Sequence, residues 1–350
     1  MAGKVITGRY DAPCFQHFCI LHDIDPVRDH IKVDFMKKPV SILVVLILAI
    51  AASCTKKPTP VVPNPTATPG DYVSMNEVFG LLTLPTKTVT INADSGGTFY
   101  GTSGTRYIFP KSAFVTSAGV TVTGSIQITV NEILKKGDMI FNLNLPVSNG
   151  DPLISGGEIY TSAAQGGKQI FLKPYFLYQV NIPQTGKFDN ISTYYSGSTL
   201  GGSLTNTMNW TRNPARIAGT VFYTKDSVSI SSDSLEWCNA ARTISSPDYQ
   251  SFTVTVVATN ATISPTDALY SYVMYDNHKG VWALSNASNN VYNEKHTAHM
   301  PVHFVSMALI NGHFFAGVLP ALPTNNTNYT VTLTEVDPVA FKGQINALYP

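Results

Sequence analysis

Val120–Val130 reads VTVTGSIQITV. Val120, Val122, Ile126, Ile128 and Val130 share one parity, while Thr121, Thr123, Ser125, Gln127 and Thr129 share the other. Successive side chains of a strand point to opposite faces, so this alternation puts one set on a core and the other in water. Gly124 interrupts it, and a bulge or tight bend is expected there. Met139, Phe141, Leu143 and Leu145 predict a further strand, as do Phe252, Val254 and Val256, and then Tyr329, Val331 and Leu333. Turn signals separate the runs: Ser95-Gly96-Gly97, Gly119, Lys136-Gly137-Asp138, Asn149-Gly150-Asp151 and Gly166-Gly167. Short strands with this punctuation and little helix predict an all-β chain of two antiparallel β-sandwich domains.

Two helices are expected beside the strands. Tyr72–Leu84 predicts a short one. At the far end Asp337 can cap, Pro338 suits a first helical position, and Val339–Leu348 follows, predicting a short C-terminal helix. Asn206–Pro214 is polar and turn-rich. The expected division is a sandwich over 86–210 and a second, with the terminal helix, over 211–350.

Upstream, Met36–Cys54 reads MKKPVSILVVLILAIAASC. Lys37 and Lys38 give a basic start, Val40–Ile50 is apolar apart from Ser41, and Ala51, Ala52 and Ser53 are small residues ahead of Cys54. That order is the one a secretory signal needs, and it resembles the lipobox of bacterial lipoproteins, with Ala51 where the pattern usually has Leu. The resemblance implies cleavage between Ser53 and Cys54 and acylation of Cys54 by diacylglycerol and a fatty acid such as palmitate. The implied address is the outer membrane of a Gram-negative cell envelope, with the bilayer as first partner. The other readings are a cleaved signal without lipid and a retained anchor; the apolar run is short of the roughly 20 residues that span hydrocarbon. Residues 1–35 carry Asp23, Asp25, Asp29 and Asp34 ahead of the signal, and read as an extension from a misplaced start at the true first residue, Met36. Residues 54–85 read as lipidated cysteine and linker, with five prolines in Thr55–Gly70 acting as a semi-extended spacer.

Gly96-Gly97-Thr98-Phe99, Gly104, Ile108–Phe114 and Gly124–Ile128 together resemble the ZU-type β-sandwich of netrin receptors and ankyrins. The resemblance covers about a third of the chain and implies protein interaction more than catalysis. Some relatives of that fold cleave themselves at Phe-Ser, a dipeptide this chain lacks.

Of 23 Lys/Arg and 22 Asp/Glu, six and five precede Cys54, so the remainder is formally neutral. No bulk field attracts a polyanion, and nucleic acid is not an expected partner. Cys14 and Cys19 lie in the extension and Cys54 in the lipobox, which leaves Cys238 alone, read as a buried small apolar residue. No glycine turn follows the phosphate-loop spacing, and no cofactor is expected.

Four sets of residues are candidates for chemistry. His296, His299 and His303 could hold zinc with an open fourth position, but Pro301 forbids a continuous helix and a strand would face His296 away from the other two. The favoured reading is therefore no metal. Ser155 and Ser196 lack the nucleophile elbow of a serine hydrolase. Asp226/Asp233 and Glu335/Asp337 could serve acid–base work, although solvated loops are the favoured reading of such pairs. Tyr194-Tyr195, Tyr270/Tyr272/Tyr275 and Phe314-Phe315 are aromatic-dense, and Tyr270 with Tyr272 could stack a sugar ring from one strand face, although core and edge packing is the favoured reading. The functional expectation is a non-enzymatic envelope module binding protein or glycan, with a hydrolase of envelope polymer as the alternative. An acidic pair in a concavity beneath aromatic rings would favour the hydrolase.

Overall fold

The computed structural model describes residues 70–184, 190–196, 209–212, 221–223, 226–244, 248–288 and 290–348, without the side chains of 221–223, 286, 287, 295 and 296. The expected lipobox with Cys54, the expected extension and the expected spacer before residue 70 lie outside the described residues. Those described fall in one compact unit spanning residues 62–350.

The chain is all-β with short helices. Its first sandwich pairs two sheets. One runs in the order Lys87–Asn92, Ser125–Ile133, Asp151–Gln165, Trp237–Thr243, Ser192–Ser196, with Lys168–Leu172 folded back on the long strand. The other runs Val221–Tyr223, Ser227–Ser232, Tyr178–Pro183, Arg106–Phe109, Gly97–Tyr100. Between them lie Ile126, Ile128 and Val130, facing Tyr107, Phe109, Tyr178, Val180 and Ile230. The parity read from Val120–Val130 is kept from Thr121 onward, with Val122 buried between exposed Thr121 and Thr123. Gly124 takes φ +76, and Val120, on the far side of that turn, is 62 % exposed.

The second sandwich is one eight-stranded sheet curled on itself, in the order Val281–Ala283, Ala268–Tyr275, Val302–Ile310, His313–Ala321, Asn328–Glu335, Tyr249–Ala258, Val291–Ala298, Ser285–Ser288. Phe252, Val254, Val256, Phe304, Val331 and Leu333 fill its interior. Among the described pairings one departs from the antiparallel expectation: Tyr249–Ala258 runs parallel to Asn328–Glu335. The division expected within 206–214 does not coincide with a sheet boundary. Ser227–Ser232 and Trp237–Thr243 hydrogen-bond into the sheets of the first sandwich, and the change of sheet falls between Thr243 and Tyr249.

A third apolar layer joins the two sandwiches. Ile133, Trp237 and Ala241 present the outer face of the first sheet to Tyr272, Met274, Val305, Met307 and Phe314 of the second sandwich. Three helices seal this layer. Met75–Leu82 buries Met75, Val78, Phe79 and Leu82, so the expected linker over 54–85 includes a packed helix. Pro338–Leu348 is capped as expected, with Asp337 Oδ1 accepting from Ala340 N at 2.8 Å.

The third helix, Lys136–Phe141, stands where Met139–Leu145 predicted a strand. All six of its residues are buried, and so are Asn142 and Asn144, the polar members of the supposed alternation. With no solvent face there is no amphipathic period to read. Leu143 then takes φ +57 and turns the chain. Asp138 ties the helix to the C-terminal one through Lys342 Nζ at 2.9 Å.

Candidate functional site

The long strand Asp151–Gln165 positions an open cleft. Gly166 and Gly167, at φ +57 and +77, close a two-residue hairpin onto Lys168–Leu172, the left-handed geometry that suits strand twist. In Lys168-Gln169-Ile170-Phe171 the pleat sends Ile170 into the core and leaves Phe171 41 % exposed. The opposite wall is the turn after Ser227–Ser232. There Ser232 Oγ accepts from Ser234 N at 3.3 Å and donates to Ser234 O at 3.0 Å. Between hairpin and turn lies an open cleft of 680 Å³, lined among others by Tyr160, Phe171, Ser162, Gln169, Asp233 and Glu236. Its volume suits a small ligand or a segment of a polymer.

The chemistry of the lining is one-sided. Two carboxylates accept hydrogen bonds, serine hydroxyls and the Gln169 amide do both, and two rings offer apolar faces. Lys, Arg and His are absent from this lining. A polyhydroxylated, uncharged ligand meets those demands, since carboxylates accept from vicinal hydroxyls while rings pack on C–H faces. The site is held stiffly from behind: Tyr160 packs on Trp237 at 5.4 Å between ring centroids, and Trp210 meets Trp237 edge-on.

A separate polar cluster lies buried where the turn after Ala268–Tyr275 packs on the first sandwich. His303 Nδ1 and Asp276 Oδ1 are 2.6 Å apart. Lys136 Nζ donates to Tyr275 O at 2.6 Å and Asp276 O at 3.1 Å. Burial lowers the Lys136 pKa to about 8, with Asp276 opposing and Lys279 adding to the shift. Burial also lowers Lys279 and, with the charges of Arg242 and Lys136, His278. The Lys136 ammonium is spent on backbone carbonyls that hold the turn, which is a structural task.

The residues singled out from sequence are distributed as follows. His299 Nδ1 contacts Pro323 O at 2.7 Å while His303 is paired with Asp276, so these two serve different partners; the His296 side chain lies outside the described residues. Among the described residues no group of three or more His, Cys, Asp or Glu is arranged to hold a metal ion. Ser155 Oγ donates to Asn239 Oδ1 at 2.8 Å and accepts from Gly157 N, a bulge-stabilising role. Ser196 is buried at the end of its strand. Asp226 and Asp233 flank opposite ends of Ser227–Ser232 and are not brought together; Asp233 instead shares the cleft with Glu236. Glu335 contacts His313 Nδ1 at 2.8 Å, and Asp337 caps its helix.

The expected aromatic shelf is corrected. Tyr272 is 3 % exposed in the layer joining the sandwiches, and Tyr270 packs half-buried against Phe79 at 5.8 Å. Tyr194, Tyr195, Tyr275, Phe314 and Phe315 are buried as well. The strand period that put Tyr270 and Tyr272 on one face holds, but that face meets protein. Cys238 is buried as read, and burial with the nearby Glu236 charge pushes its thiol up to about 12, far from a thiolate nucleophile. Sequence reading missed the exposed Phe171 and the Asp233/Glu236 pair. The signal for the first was present, because alternation allows only one of Ile170 and Phe171 into the core.

No protein-family model matches the chain, and no curated protein is detectably similar to it.

Proposed function

We propose that the protein is an envelope lipoprotein, held at the bilayer by acylated Cys54, whose folded body binds a glycan in the cleft beside Phe171 without cleaving it. The observation that carries the binding half is the lining itself: Tyr160 and Phe171 beside hydroxyl, amide and carboxylate acceptors on a rigid sheet. The tether rests on the order of residues in Met36–Cys54. It agrees with a body whose described helices include none long and apolar enough to cross a membrane. Three acyl chains on one cysteine would exceed the two anchoring signals that stable attachment needs.

Two experiments test this reading. A glycan array probed with residues 62–350, run beside a pull-down from membranes, should give binding to one glycan class. Absence of glycan binding together with a co-purified membrane protein overturns the carbohydrate assignment. For the tether, cells fed radioactive palmitate should lose both label and membrane fractionation on Cys54→Ala; unchanged labelling refutes it.

One observation favours a second reading. Asp233 and Glu236 share the cleft with the two rings, and a pair of carboxylates is what glycoside hydrolysis uses. Release of reducing ends from the bound glycan, abolished in both D233N and E236Q, would make the body a hydrolase.

A further inference from the structure

A second, smaller cavity of 180 Å³ opens between Thr83 and Thr86, in the connection from Met75–Leu82 to the first strand. It lies on the same sheet face as Tyr160, beyond the Tyr160–Trp237 ring pair, because Asn131 and Trp237 are the two register partners of Tyr160. Thr83 and Thr86 form an exposed mouth, and the depth is lined by Asn131, Asn144, Trp237 and Ile133. Asn131 is 4 % exposed, Asn144 1 % and Trp237 1 %.

Three buried polar atoms of this lining have no hydrogen-bond partner: Asn131 Oδ1, Asn144 Oδ1 and Trp237 Nε1. The Asn131 amide is oriented by its own nitrogen, which donates to Leu84 O at 3.1 Å and so turns Oδ1 the other way. Asn142, also on the wall, is by contrast fully engaged: its oxygen accepts from Leu84 N at 3.0 Å and its nitrogen donates to Asp138 O at 2.7 Å. Buried polar groups are satisfied in folded proteins, by protein or by what the cavity holds. The space is that of roughly six waters.

We propose that this cavity is a binding site for a neutral amide group. The unpaired set is two acceptors and one donor. A carboxamide supplies the complement: N–H for the asparagine oxygens and C=O for the indole N–H. A single hydroxyl has one proton and leaves one asparagine oxygen unmet. A cation suits the oxygens but faces the indole proton, and an anion faces both oxygens. Ile133 supplies an apolar wall for a methyl or methylene beside the amide. The amide can come from a small free carboxamide, whose NH2 carries both protons, or from the acetamido arm of an amino sugar, whose single N–H needs an adjacent ring hydroxyl as the second donor, and size of the attached group separates the two.

The test is NMR on the full chain labelled with 15N-tryptophan. Three indole N–H signals are expected, from Trp210, Trp237 and Trp282, and W237F identifies the second by its loss. Acetamide, N-acetylglucosamine and, as hydroxyl controls, glucose and glycerol are titrated separately. The expected result is a saturable shift of the Trp237 indole signal with acetamide in the millimolar range. With Asn144→Leu, which fills the site, the shift should be lost or the midpoint weakened about tenfold or more. A shift with N-acetylglucosamine as well assigns the acetamido sugar as a source, and a shift with acetamide alone assigns small amides. An indole signal unmoved by both amides, or moved equally by glucose or glycerol, overturns the proposal. Should N144L fail to fold, acetamide against glycerol on the unaltered chain still decides it.

Discussion

Replacing Glu158 by glutamine should flatten the fall of stability as pH rises from 4.5 to 6.5. Glu158 is fully buried on the long strand, opposite Asn239 on one side and Ile133 on the other, and neither carboxyl oxygen has a hydrogen-bond partner. Burial pushes its pKa well above the ordinary carboxylate value. With the folded value raised, the folded state holds the proton more tightly. Its contribution to stability is therefore greatest below the unfolded pKa, about 4.3, and is lost as pH rises toward the folded one. Each pH unit crossed between the two values costs at most about 1.4 kcal/mol. E158Q keeps the shape and cannot ionise. From pH 4.5 to 6.5 the wild-type chain should thus lose stability relative to E158Q, in which this site no longer titrates. Urea unfolding followed by tryptophan fluorescence at three pH values measures it, with equal m values as the check that the same surface unfolds. Stability profiles that stay parallel to within about 0.5 kcal/mol, the scatter of independent sites, would refute the buried, unpaired carboxyl.

Two further substitutions probe packing, one at the seam between the sandwiches and one inside the first. K136M removes the ammonium from Tyr275 O and Asp276 O and should cost about 2 kcal/mol at pH 7 by chemical denaturation. Because the folded pKa is lowered to about 8, the unfolded state binds the extra proton between pH 8 and about 10.4, so wild type should gain further on K136M across that range. Gly157→Ala should lower stability by about 2 kcal/mol or more, seen as a fall of several degrees in Tm. Gly157 sits at φ +140, and an added Cβ would lie 2.8 Å from Leu134 Cδ2 and 3.0 Å from Ile182 Cγ2. An unchanged Tm would show that this bulge is not constrained as described.

Much of the fold was legible because most core strands have one wet face. Phe252, Val254, Val256, Val331 and Leu333 alternate with polar neighbours, and each is buried as the period demands. Asp337-Pro338 marked a helix start through local chemistry alone. The failures share one cause. Around 136–145 and 271–275 the chain is covered on nearly every side, so polar and apolar residues alike are buried and periodicity carries no information. The rings of Tyr272 and Phe314 looked available because nothing local reveals the other sandwich that covers them. The cleft was hidden for a related reason. Phe171 and Glu236 are 65 positions apart and meet only through the pairing of Asp151–Gln165 with both Lys168–Leu172 and Trp237–Thr243. Asn131, Asn144 and Trp237 converge in the same way, from two strands and a turn.

The measurement that bears most directly on the binding account is calorimetry with the oligosaccharide found on the array, comparing wild type with F171A. Phe171 is an exposed ring at the rim of the cleft, so its loss leaves the core intact. The account predicts that wild type binds and returns the sugar uncut, and that F171A, equally folded, binds about tenfold more weakly or worse. Equal affinity of the two proteins would place the glycan elsewhere and contradict it.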